Sequence, residues 1–205
     1  MNQSPGDEIP NENGGETGQS GDSLSRESMA PQPSEHDSHR HAGLPDAEDQ
    51  RRAGHSPPAH VVLYQPEIPQ NTGNIGRTCV AVGAKLWIVR PAGFRIDDAR
   101  LRRAGLDYWQ HLQLGDAVNW DDLIDQLAPR RLFFLSRFAK RTIWDARFER
   151  EDVFVFGRET SGLPKSILDP NDPRGLRLPM SAHVRSLNLA TTVGIVLYEH
   201  QRQIR

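Results

Sequence analysis

The stretch from Phe156 to Ser166, Phe-Gly-Arg-Glu-Thr-Ser-Gly-Leu-Pro-Lys-Ser, follows the apolar run Val153-Phe154-Val155-Phe156 and carries glycines at 157 and 162. A strand that runs into a glycine-rich turn is a common place to hold a nucleotide, because backbone amides can converge on the ligand there. A phosphate loop, however, needs Lys-Ser/Thr directly after its second glycine, and here Leu163-Pro164 precede Lys165-Ser166. Pro164 also removes an amide and fixes φ where such a cradle would turn into a helix. The dinucleotide pattern Gly-x-Gly-x-x-Gly fails too, since residue 159 is glutamate. A carboxylate there would repel pyrophosphate, so the turn suits a ligand without phosphates.

Two further stretches carry candidate chemistry. In Pro66–Cys79, a strand passes through prolines into a helix that holds Asn71, Asn74 and Arg77, with Asn71 placed to cap it and Gly83 to end it. Arg77 lies opposite Ile75 and Val82 on that helix and so points toward something polar, whether solvent or substrate. In Arg177–Glu199, Arg185-Ser-Leu-Asn-Leu189 opens a long, nearly all-apolar helix with Ser186 placed as its cap. Such a helix must be buried, in a core or against another subunit.

These stretches sit in a chain that alternates strands and helices. Strands are predicted at 61–65, 86–90, 131–135, 152–156 and near 176–178; helices at 72–82, 97–104, 119–127, near 165–168, and 186–203. The nearly continuous apolar character of the strands predicts a mostly parallel sheet with helices on both faces, hence an α/β domain over 60–205. Residues 1–59 form a different region: no Phe, Tyr or Trp occurs before Tyr64, and the segment is rich in Gly, Ser, Pro, Asn, Asp and Glu. It cannot bury enough apolar surface to offset its ordering entropy, which predicts a disordered leader.

Charge follows the same division. Up to residue 60 there are 11 acidic and 4 basic residues, against 16 and 21 in the remainder, so the predicted domain is mildly basic and the leader acidic. A mildly basic domain suits a polyanionic partner, although ordinary solubility charge reads the same way. The single Cys79 excludes a disulfide framework or a cysteine-rich metal site, and its place beside Ile75 and Val82 predicts a buried structural thiol. No metal is expected. No apolar run suits a signal peptide or a membrane span, so a cytoplasmic protein is expected.

Taken together, Asn-x-Gly-Asn-x-x-Arg at 71–77, Phe-Gly-x-Glu-x-x-Gly-Leu-Pro at 156–164, and Arg-Ser-Leu-Asn-Leu leading to Tyr198-Glu199 resemble the three motifs of the SPOUT class of RNA methyltransferases. Leu63–Arg77 and Asp97–Trp109 narrow the resemblance to the tRNA (cytidine/uridine) 2′-O-ribose methyltransferases of the wobble nucleotide. The resemblance covers 61–205 and leaves the leader without a role. Two alternatives stay open: a relative acting on ribosomal RNA or another tRNA position, and a non-catalytic RNA-binding module of the same fold.

The resemblance implies an α/β knot, in which the C-terminal segment threads through a loop to form the S-adenosylmethionine site of a homodimer. Leu135, Gly157, Leu178 and Met180 would then wall the adenine, with Gly157 and Gly162 admitting close backbone approach. Ser186 and Asn188 would bond the cofactor or hold the knot, and Glu159 would face the cofactor or brace the turn. Arg77 would be the catalytic arginine. Tyr198 would assist from the partner subunit or else be a core aromatic. Asn71, Asn74, Arg102, Arg103, Arg137, Lys140, Arg141 and Arg185 are the candidates for holding the anticodon stem-loop of tRNA, together with Arg95 and Arg100 and the aromatic groups Phe138 and Trp144. An Asp98–Arg102 pair on a solvated helix is the plainer reading of the first cluster.

Overall fold

A computed structural model describes residues 56–94 and 107–205, which belong to one compact unit, Ala42–Arg205. The predicted leader, the helix at 97–104, and Arg95, Arg100, Arg102 and Arg103 lie outside the described residues, apart from the last few positions before the first strand.

Among the described residues, seven parallel strands form one sheet: β1 (Ala59–Tyr64), β2 (Lys85–Val89), β3 (Leu114–Ala117), β4 (Leu132–Leu135), β5 (Arg141–Thr142), β6 (Asp152–Phe156) and β7 (Gly175–Arg177). Their spatial order is β3-β2-β1-β6-β4-β7-β5, so β7, late in the chain, inserts between β4 and the edge strand β5. The expected strands are present to within two residues at each end. β3 and β5 escape the apolar-run criterion because they are edge strands: Leu-Gly-Asp-Ala and Arg-Thr have only one covered face or none. Gly115 is required in β3, since a Cβ there would sit 2.3 Å from the ring of Trp87.

Alternation in the central strands explains why they read as unbroken apolar runs. Val61, Leu63, Phe154 and Phe156 face one cluster with Ile75, Cys79, Val193, Val196 and Leu197, while Val62, Val153 and Val155 face the other with Leu123, Leu127 and Leu168. Both faces are covered, so neither side of β1 or β6 tolerates a polar residue without a partner. His60 is the instructive exception: its Nδ1 accepts from Trp87 Nε1 at 3.0 Å, and burial, with Arg130 and Lys85 nearby, lowers its pKa to about 4 and keeps it neutral. The Cys79 thiol is buried and burial pushes its pKa up, as a structural thiol requires.

Among the described residues, three α-helices cover the sheet. α1 (Pro69–Val82) begins with Pro at its first position, which suits a residue with no amide to satisfy, and ends on Gly83 at φ 73° with the N–H groups of Gly83 and Ala84 returning to Val80 and Cys79. α2 (Trp120–Leu127) is capped by Asn119, whose side chain accepts from Asp122 N–H at 2.9 Å. α3 (Leu189–Ile204) packs beside α1 on the same face of the sheet. Two short 3₁₀ helices, Asp107–His111 and Ile143–Asp145, were not expected, and the expected helix near 165–168 is a turn after Pro164. The expected caps also move. Ser186 lies three residues ahead of α3, whose cap is Asn188, and Asn71 lies inside the first turn of α1.

Candidate active site

The C-terminal ends of β4, β6 and β7 open into a cavity of about 470 Å³, where a parallel sheet generally binds its ligand. Leu135, Phe156, Leu176, Leu178 and Met180 supply apolar walls, and the 157–163 turn and the 186–189 segment close two sides. All eight residues expected to hold a cofactor, Leu135, Gly157, Glu159, Gly162, Leu178, Met180, Ser186 and Asn188, line this one cavity.

The glycine turn owes its shape to itself. Arg158 and Gly162 exchange two backbone hydrogen bonds, of 3.2 and 2.9 Å, across a tight reversal. A Cβ on Gly157 would fall 2.2 Å from the carbonyl carbon of Gly162, so residue 157 must be glycine for the turn to close on it. Packing within the turn thus accounts for this glycine by itself, and Gly157 also lines the cavity, where close approach of a ligand was expected. Gly162, at φ 70° with open space where a Cβ would be, is a glycine for conformational reasons and leaves its cavity face clear.

Glu159 braces the turn. Its carboxylate accepts from Glu67 N–H (2.9 Å), Ile68 N–H (3.3 Å) and the Asn71 amide (3.1 Å), at the start of α1. Ile68 offers no side-chain cap, so a carboxylate 91 residues away satisfies the orphan donors and the positive end of the helix dipole. The reverse contact completes a clasp: the Glu67 carboxylate accepts from Thr160 N–H (3.0 Å) and Thr160 Oγ1 (2.9 Å). Sequence reasoning passed over Glu67 because its partner is 93 positions distant and no local pattern marks it.

Asn71 links the third motif. Only 6% exposed, it gives its amide to Glu159 and accepts from Asn188 Nδ2 at 2.9 Å, while Asn188 Oδ1 receives Ala190 and Thr191 N–H to cap α3. Both ends of the Asn71 side chain are thus engaged within the protein, rather than turned out to solvent where the expected RNA contact would lie. Glu159, Asn71 and Asn188 form one hydrogen-bonded line from the turn through the start of α1 to the start of α3.

Arg77 is exposed on α1, outside the cavity lining, with its guanidinium carbon 4.6 Å from the centroid of the Tyr108 ring. Asn74 is exposed one turn earlier. Tyr198 is 59% exposed on the outer face of α3, near Ile195 at 39%, so the core-aromatic reading is set aside for the single chain. Arg137 lies over the Phe138 ring at 4.5 Å and donates to the Arg185 carbonyl; both of these residues and Phe138 are exposed beside the cavity mouth or along the following segment. Lys140 is exposed, and Trp144 is 62% exposed. Arg141 differs: its guanidinium donates to the carbonyls of Pro173 (2.7 Å) and Asp145 (2.9 Å) and so holds the sheet edge. Among the described residues, no group of three His, Cys, Asp or Glu is placed to hold a metal, and no helix is long and apolar enough to cross a membrane.

A parallel α/β domain with a cavity at its strand ends, walled by apolar groups and a glycine turn, has the arrangement in which open parallel sheets hold small ligands. Residues 58–198 match the SpoU rRNA Methylase family, and the chain belongs to it. Among relatives, a Bacillus subtilis protein provisionally named tRNA (cytidine(34)-2′-O)-methyltransferase is 50% identical over 147 residues, 70% of this chain and 92% of that protein. The tRNA (cytidine(34)-2′-O)-methyltransferase of Methylovorus glucosotrophus is 46% identical over 144 residues, 70% of this chain and 94% of its own. A solved structure described as giving insights into the 2-OH methylation of C/U34 on tRNA superposes with a TM-score of 0.66 at 42% identity, covering 71% of this chain and 95% of the other.

Proposed function

We propose that the chain is an S-adenosylmethionine-dependent tRNA 2′-O-ribose methyltransferase that acts on the wobble nucleotide, a cytidine or modified uridine, as a homodimer. One observation carries the proposal: residues of all three sequence motifs converge at one cavity of suitable size and polarity, with Arg77 on the helix that borders it. The names of the relatives agree with this chemistry. The cavity fits the cofactor, since about 470 Å³ lies within the usual range for small-molecule sites and its walls combine Leu135, Leu178 and Met180 with the polar groups of the turn.

When bound, S-adenosylmethionine supplies a methyl group already activated by its sulfonium. The remaining task of the chain is to hold a ribose 2′-hydroxyl in line and ease the loss of its proton. Arg77 is assigned to that task. A guanidinium stays protonated in proteins, so Arg77 acts as a donor that orients the hydroxyl and adjacent phosphate and stabilises oxyanion as it develops. Arg137, Lys140 and Arg185 provide phosphate contacts near the mouth, with Phe138 and Trp144 available for base stacking. Arg102 and Arg103 keep the same expected role.

The α/β knot belongs to this reading. It is supported by the insertion of β7 between β4 and β5 and by the return of Asn188 to Asn71. The homodimer is supported by Ile195 and Tyr198, which leave part of α3 open to a second copy that Tyr198 would then serve. A tRNA substrate makes the cytoplasm its compartment. Nucleoside mass spectrometry of tRNA from cells with and without the gene should show one 2′-O-methylnucleoside at the wobble position lost on deletion. Restoring the gene as Arg77→Ala should leave it missing, with transfer in vitro lowered at least about a hundredfold. Unchanged tRNA nucleosides would overturn the substrate, and a fully active Arg77→Ala the assignment of Arg77.

A further inference from the structure

We propose that Tyr108 is the positioning residue for Arg77, holding its guanidinium in the orientation that methyl transfer requires. This rests on the reading of Arg77 as the group that meets the ribose and its phosphate.

The 3₁₀ helix Asp107–His111 docks on α1 through two neighbouring aromatics. Trp109, 7% exposed, lies so close to α1 that a Cβ on Gly76 would come within 2.8 Å of its ring. Gly76 therefore lets this segment sit directly against the helix beside Arg77. Tyr108 uses that approach in two ways. Its hydroxyl donates to the Gly73 carbonyl at 2.8 Å, one turn before Arg77, and its ring lies 4.6 Å from the guanidinium carbon. Helix backbone and catalytic side chain are thus tied to a single phenol ring.

The chemistry of the contact suits the task. An arginine on an exposed helix face samples many rotamers, and holding one of them removes an entropy cost from substrate binding. An aromatic face occupies one side of the guanidinium plane and leaves the in-plane N–H donors open, whereas a carboxylate partner would use those same donors. The contact that the structure gives the Arg77 guanidinium is this aromatic face. The ring therefore restrains the group without consuming what it needs for phosphate and hydroxyl.

The experiment compares the full-length protein with Tyr108→Leu and Tyr108→Phe, alone and combined with Arg77→Lys, in methyl transfer to the tRNA that the wild type modifies. Leucine keeps apolar volume beside Trp109 and should preserve the melting temperature, so that a folded variant is tested. Tyr108→Leu should lower kcat about tenfold while leaving S-adenosylmethionine affinity by calorimetry within twofold. Tyr108→Phe, which keeps the face and loses the Gly73 anchor, should fall between that variant and the wild type. In the Arg77→Lys background, Tyr108→Leu should add less than about twofold, because the two residues then act as one unit. Equal, additive losses with and without Arg77, or a loss confined to cofactor affinity or melting temperature, would overturn the proposal. A wild type that methylates no tRNA would instead overturn the functional reading on which it rests.

Discussion

Gly157 and Gly162 belong to one turn but are glycines for different reasons, and the difference is measurable. At 162 the backbone is left-handed with nothing near the missing Cβ, so Gly162→Ala should cost about 1 kcal/mol of strain and little else. At 157 a methyl group would collide with backbone atoms of Gly162 and Leu163, at 2.2 and 2.3 Å, which cannot move aside as a side-chain tip could. Gly157→Ala should therefore open the turn and abolish S-adenosylmethionine binding by calorimetry, while Gly162→Ala retains binding with a lower denaturation midpoint. Equal effects would mean that the turn is not closed in this way. The sequence marked both positions as special without distinguishing them, because the neighbour that makes Gly157 necessary is another part of the same loop folded back on it.

The helices show what local pattern can and cannot reveal. Gly83 reads correctly as the end of α1 because an αL cap is a property of the chain at that point. The start of α1 is illegible, since its donors are satisfied by Glu159 from beyond β6, and the resulting clasp with Glu67 and Thr160 spans more than ninety residues. At α3 the box Arg185-Ser-Leu-Asn-Leu offers two good capping residues, and packing selects Asn188 because its amide also reaches Asn71. Asn188→Ala should cost about 1 kcal/mol for the lost cap and more for the Asn71 oxygen left without its donor. Asn188→Asp keeps the acceptor for Ala190 and Thr191 but has no donor for Asn71, so it should lie between wild type and alanine in urea denaturation. An aspartate variant as stable as the wild type would show that the link to Asn71 contributes nothing.

At the scale of the whole molecule, α3 buries Val193, Val196 and Leu197 against the sheet and leaves Ile195 and Tyr198 outward. If that outer strip meets a second copy, Ile195→Glu should shift the protein to monomer in sedimentation and lower methyl transfer. A wild type that sediments as a monomer and is active would remove the dimer from the mechanism. The sequence by itself determined the alternating α/β order, the doubly covered strands, the buried thiol at Cys79 and the three stretches that carry the chemistry, because periodicity, turn residues and apolar runs are local properties. Only the tertiary structure decided that Glu159 braces α1, that Asn71 faces inward, that Arg141 holds a sheet edge and that Tyr108 lies against Arg77. Each of these depends on a partner brought near by strand order, and a one-dimensional pattern carries no distance between residues so far apart in the chain.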